Sequence, residues 1–147
     1  MVLAAGATLM YPNQNRLIID AGTCITYDFV NAENQYLGGA ISPGIKIRYK
    51  SLNNYTSKLP LLTLSEDFEI IGNSTKSAIH SGVINGVIFE IEGFISQYSL
   101  KNQDLTIILT GGDAEFLAKR LKSTIFANSN FLLESLNLLS LYTQKND

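Results

Sequence analysis

The stretch Leu17–Val30 limits most strongly what this chain can fold into. Leu17-Ile18-Ile19 reads as a buried strand running into Asp20. Ala21-Gly22 is a tight turn, and Thr23 to Val30 leaves on a second strand rich in β-branched and aromatic residues. The turn carries Asp20, the Gly22 amide and the hydroxyls of Thr23 and Thr26. Glycine lets backbone approach a ligand closely, and successive amides can form an anion-binding concavity. A carboxylate beside such a nest repels phosphate unless a cation stands between them. The turn therefore reads as a site for phosphate plus a cation, or as an ordinary hairpin with a polar tip.

The rest of the chain supports one domain with a real core. It has 147 residues, 46% apolar and 16% charged, which is globular in composition. A net charge of −2 leaves no electrostatic footprint for nucleic acid or an anionic membrane surface. A single cysteine, Cys24, excludes an internal disulfide framework and a zinc cluster, and reads by default as a small buried side chain. No apolar run reaches membrane-spanning length, and Met1–Met10 lacks the charged start of a signal peptide. The expectation is a soluble, cytoplasmic protein with no nucleic-acid or membrane partner.

In order, Val2 to Met10 reads as the end of a helix without a lead-in, so the N-terminus is expected to be cut. Tyr36 to Ile41 adds a third strand, giving an antiparallel meander. Gly38-Gly39-Ala40-Ile41-Ser42-Pro43-Gly44 is a glycine-rich exit. Ser42 is a candidate cap and Pro43 a candidate first position for a helix over 43–52. Lys46, Arg48 and Lys50 read as the solvated side of that helix, or as a polyanion-attracting one. Residues 53–68 form an irregular connection with an apolar patch at 59–64. Asn73, Ser74 or Thr75 caps the longest helix, about 74–98, unless one of these hydroxyls faces an anionic ligand there. Ala78, Gly82, Gly86 and Gly93 form a small-residue stripe, which implies a close neighbour, either another helix of the chain or a second subunit. His80 reads as a partly exposed helix residue. Leu105–Thr110 is a buried strand ending in Gly111-Gly112-Asp113, followed by a helix over 114–122. A short strand at 124–127, an amphipathic helix at 131–142 and a fraying tail at 144–147 close the chain.

Taken together, Asp20-Ala21-Gly22-Thr23-Cys24-Ile25-Thr26, Leu37-Gly38-Gly39-Ala40-Ile41-Ser42-Pro43-Gly44, Gly72-Asn73-Ser74-Thr75 leading to Ser81-Gly82, and Thr110-Gly111-Gly112 resemble the type III pantothenate kinase family. The resemblance runs along nearly the whole chain and matches the family's C-terminal lobe, so residues 1–147 are expected to be that lobe with the N-terminal lobe absent. The family belongs to the acetate kinase, sugar kinase, Hsp70 and actin superfamily. The implied fold is α/β, one ribonuclease-H-like lobe with a three-stranded antiparallel meander, further strands and packed helices. The implied reaction is ATP-dependent phosphorylation of pantothenate, the first committed step toward coenzyme A, in a homodimer. By resemblance, Asp20 binds potassium or ammonium. Gly22, Thr23, Gly111 and Gly112 contact ATP, which carries a divalent ion, magnesium by family habit. Thr75 contacts pantothenate.

Two family segments have no counterpart here. The Asp-x-Gly-Asn-Thr phosphate loop is missing, and the Gly-x-Asp-Arg motif with the general base would fall at or before Met1. Asp28 and Asp113 do not replace that base by resemblance. The isolated chain is therefore expected to be inactive. The alternatives are a non-catalytic dimerising or nucleotide-binding lobe, or another kinase or ATPase of the superfamily.

Overall fold

A computed structural model describes residues 1–66 and 68–146. Helix α1 (Val2–Met10) leads into the hairpin of β1 (Arg16–Ala21) and β2 (Cys24–Val30), then β3 (Tyr36–Pro43) and α2 (Ile45–Asn54). Helix α3 (Thr75–His80) runs through a π-helical stretch, Ser81–Asn85, into α4 (Gly86–Lys101). Strand β4 (Thr106–Thr110), α5 (Ala114–Ala118), β5 (Phe126–Ala127) and α6 (Phe131–Asn146) complete the chain.

The five strands form one sheet in the order β3-β2-β1-β4-β5. The meander is antiparallel, pairing Asp20 with Thr26 and Ala21 with Ile25 at the hairpin end. Strand β4 lies parallel to β1, and β5 parallel to β4. The sheet is covered on both sides, which is why β1 is an unbroken apolar run and not an alternating one. Leu17, Ile19, Tyr27 and Leu109 pack with Val83, Val87 and Ile91 of the long helix. Ile18, Val30 and Ile108 face the other way onto Leu3, Ala4, Ala7 and Phe131. Ile18, Ile19, Ile84, Ile91 and Ile108 are at most 1% exposed, and each such side chain stabilises the fold by roughly 1.5–3 kcal/mol. The expected α/β lobe with its antiparallel meander and further strands is present, and the structure adds that the fourth strand runs parallel to β1.

Several local expectations are corrected. Gly44, not Ser42, is the N-cap of α2, and Ile45, not Pro43, opens it, because β3 continues through Pro43. Arg48 leaves the solvated row and pairs with Glu90. His80 is buried, with Nδ1 2.6 Å from the Tyr49 hydroxyl. Cys24 is exposed, because the hairpin tip carries it out of the core. Among the described residues the small-residue stripe is only sparsely covered: a β-carbon at Gly82 or Gly93 would meet nothing within 4 Å, and one at Gly86 would meet only Arg48 of α2 at 4.0 Å. Helix α5 stops at Ala118, four residues early, and α6 continues to Asn146, so the tail does not fray at 144. The expectations for Asp67 and Asp147 lie outside the described residues.

The continuous helix Thr75–Lys101, at 27 residues, is long and apolar enough by composition to cross a membrane, contrary to expectation. Ile79, Val83, Val87, Ile91 and Ile95 bury its inner side against the sheet, the position of a core helix.

Candidate functional site

Three segments that are far apart in sequence meet at one end of the sheet. The first is the β1–β2 tip. The Gly22 amide donates to the Cys24 carbonyl at 3.0 Å, so that amide is used within the turn and does not face outward. Thr23 and Cys24 are exposed, and Gly22 is half-buried.

The second segment is the exit from β3. The Gly44 amide donates to the Thr23 carbonyl at 3.0 Å. A β-carbon at Gly44 would overlap the Gly22 and Thr23 carbonyl oxygens, so only glycine lets the exit lie this close.

The third is the turn after β4. Gly111 has φ +101°, in the left-handed region. A β-carbon there would stand 2.5 Å from the Ala21 carbonyl oxygen and 2.6 Å from Asp20 Oδ1. The Asp113 amide donates to the Ala21 carbonyl at 3.0 Å. Parallel pairing of Asp20 with Thr110 delivers this turn to the carboxylate. Gly112 is exposed.

Asp20 is half-buried. Burial, and then the charge of Asp28, push its carboxyl above the ordinary aspartate range. Among the described residues no side chain donates to it or pairs with it, and no cluster of three or more metal-ligating side chains exists. A lone, desolvated carboxylate next to carbonyl oxygens suits a weakly held monovalent cation, whose charge would offset the desolvation. Burial likewise raises the carboxyl of Asp113. Asp113 borders a cleft of about 320 Å³ lined also by Ile45, Lys46, Tyr49, Lys50 and Leu62.

Thr75 stands apart from this cluster. Ser74 caps the helix, accepting from the Ser77 amide at 3.1 Å, while the Ser77 hydroxyl accepts from the Ser74 amide at 2.9 Å. The Thr75 side chain is thus released from capping, and the residue is exposed.

One polar centre escapes sequence reasoning. Glu90 accepts from the Tyr27 hydroxyl at 2.8 Å, from the Ser42 hydroxyl and from the Arg48 guanidinium. Arg48 Nε also donates to the Pro43 carbonyl at 2.8 Å. Burial acts to raise the Glu90 carboxyl, but the bonds from Ser42, Arg48 and Tyr27 outweigh it and hold the group below its ordinary value. The network ties β2, β3, α2 and α4 together just before Gly44. An acid amid the apolar stretch 87–95 was the available signal.

The chain matches the family model for type III pantothenate kinase over residues 1–97. It is 65% identical to a type III pantothenate kinase of Flavobacterium johnsoniae over all 147 residues, and 66% identical to that of Flavobacterium psychrophilum over 142. It spans 60% and 59% of the length of those relatives. Among solved structures it is similar to a Campylobacter jejuni protein described as a Baf family transcriptional activator. The TM-score is 0.67 at 22% identity, over 98% of this chain and 65% of that one, a likeness of fold. On the family match and these identities, the chain belongs to the type III pantothenate kinase family.

Proposed function

We propose that residues 1–147 are the C-terminal lobe of a pantothenate kinase, which moves the γ-phosphate of ATP to the pantothenate hydroxyl in the first committed step toward coenzyme A. The observation that carries this is the meeting of Asp20, Gly44 and Gly111 at one sheet end. Phosphoryl transfer depends mainly on positioning and charge stabilisation, and this end offers glycine-lined backbone beside the desolvated carboxylate of Asp20.

In this reading Asp20 holds potassium or ammonium, and the cation offsets repulsion between the carboxylate and phosphate. Thr23 faces the phosphates, Gly22 leaves room for them beside the turn, and Gly111 and Gly112 face the adenosine side. ATP brings a divalent ion, magnesium by family habit. Thr75, freed from capping, contacts pantothenate. The general base lies outside these residues, so they do not catalyse alone. The enzyme works in the cytoplasm as a homodimer. The open groove of about 670 Å³ along α4, lined by Phe89, Gly93 and Phe94, supports a second subunit on that side.

The test is pantothenate-dependent ADP release. It is assayed on the 147-residue chain and on a chimera in which these residues replace their counterpart in the Flavobacterium johnsoniae relative. Turnover by the chimera and none by the chain is expected. A silent chimera that is folded overturns the reading. The second reading, a non-catalytic dimerising lobe, draws on the uncovered Gly82 and Gly93; a stable, monodisperse dimer of the chain together with a silent chimera would favour it.

A further inference from the structure

Glu90 and Glu92 stand two positions apart on α4, so about 200° of helix rotation separates them. They serve different parts of the fold. Glu92 accepts from the Lys122 amide, from the Ser123 amide at 3.1 Å and from the Ser123 hydroxyl, and so anchors the connection after α5. Glu90 turns to the meander, where it takes the Tyr27 and Ser42 hydroxyls and the Arg48 guanidinium. The side chains of Arg48 and Glu90 are 21% and 22% exposed, so this pair is not a solvated surface bridge of little worth.

From Glu90 an unbroken series of contacts runs to the phosphate turn. Ser42 is held directly. Pro43 is held through Arg48, whose Nε donates to its carbonyl at 2.8 Å. The next residue is Gly44, which is buried and donates its amide to the Thr23 carbonyl at 3.0 Å. A β-carbon at Gly44 would overlap the Gly22 and Thr23 carbonyl oxygens, so the exit lies on the turn without slack. Tyr27 adds a hold on β2, the strand that leaves the turn. One carboxylate therefore grips β2 and the end of β3 that lies against the turn. Bonds to an ionised acceptor are the stronger ones, and a turn fastened in advance spends less ordering entropy when a ligand arrives.

We propose that Glu90 is a positioning residue of the phosphate turn: through Ser42 and the Arg48–Pro43 bond it sets Gly44 against Thr23, and so sets where Thr23 meets the phosphates of ATP. The role toward ATP rests on the kinase reading, while the positioning itself is measured without turnover.

The first measurement is amide hydrogen exchange in the 147-residue chain as parent, Glu90→Gln, Arg48→Lys and Glu92→Gln. Glutamine removes the charge that holds Arg48, and lysine removes the fork that reaches Glu90 and Pro43 together. Exchange at the Gly44 amide is expected to speed about tenfold or more in the first two variants, relative to the Asn128 amide. That amide is bonded to the Leu109 carbonyl on the β5 side of the sheet and reports global opening. Glu92→Gln weakens the other anchor of the same helix and should leave the ratio unchanged. An unchanged ratio in Glu90→Gln, or an equal rise in Glu92→Gln, overturns the proposal. In the chimera, Glu90→Gln and Arg48→Lys should each raise the KM for ATP about tenfold, with the KM for pantothenate within about twofold of the parent. The double variant should be no worse than either alone, since both cut one linkage. Equal rises in both KM values, or additive losses, overturn the proposal, because the network then only stabilises the fold. A silent parent chimera with the exchange result intact removes only the kinase reading, and a working parent whose ATP KM ignores Glu90→Gln removes only the positioning role.

Discussion

Gly111 lies directly on Asp20: its missing β-carbon would sit 2.6 Å from Asp20 Oδ1, at a backbone φ of +101°. Side chain and turn come from β1 and β4, ninety residues apart, and the parallel pairing of those strands sets their separation. Both the free backbone conformation and the free space are needed here.

Gly111→Ala should therefore destabilise the chain by about 2 kcal/mol or more, from left-handed strain plus collision with the Ala21 carbonyl. Gly112→Ala is the contrast, since nothing lies within 4 Å of its β-carbon position. It should stay within about 0.5 kcal/mol of the parent in urea unfolding.

Asp20 should make the chain sensitive to monovalent cations. Its raised folded pKa means that ionisation opposes folding above that pKa, and that the penalty is relieved as pH falls through it. A cation at the carboxylate removes the same penalty at neutral pH. Thermal unfolding at neutral pH should shift upward in potassium relative to choline, and Asp20→Asn should abolish the shift while raising the midpoint in choline.

Glu90 has the opposite sign. Its folded pKa is lowered, so its contribution is complete above the unfolded carboxylate value and is lost as pH falls through the folded one. Glu90→Ala strands the Tyr27 hydroxyl, the Ser42 hydroxyl and a guanidinium 21% exposed. The cost should be about 2–3 kcal/mol at neutral pH, shrinking in acid, read from unfolding curves across pH.

The Tyr49–His80 bond joins α2 to the start of the long helix. Burial pushes the Tyr49 phenol up to about 12, so it is a neutral hydroxyl at working pH. Tyr49→Phe should cost about 1 kcal/mol and leave the far-ultraviolet circular dichroism unchanged.

The elements legible in sequence are those set by local chemistry. The Leu17–Val30 hairpin and the Leu105–Thr110 strand are apolar runs bounded by glycine, and each forms where it was expected. The glycines of the three motifs mark close backbone approaches, and Gly44 and Gly111 prove to be two of them. What could not be read depends on partners distant in sequence. His80 is buried because Tyr49, 31 positions away, meets its ring. Ser42 looks like a cap until Glu90, 48 positions away, takes its hydroxyl. Cys24 reads as a core side chain until the register of β2 places it at the tip. The 131–142 segment reads as an amphipathic helix, and only the packing of Ser135 on Gly6 of α1 shows that Leu132, Leu133 and Leu136 are left exposed.

The measurement that tests the central claim most directly is pantothenate-dependent ADP release by the chimera, with and without Asp20→Asn, in potassium and in choline. The site described here predicts potassium-dependent turnover in the parent chimera, and a loss of about a hundredfold or more in Asp20→Asn that potassium does not restore. Turnover in Asp20→Asn equal to the parent, or a parent indifferent to potassium, would contradict it.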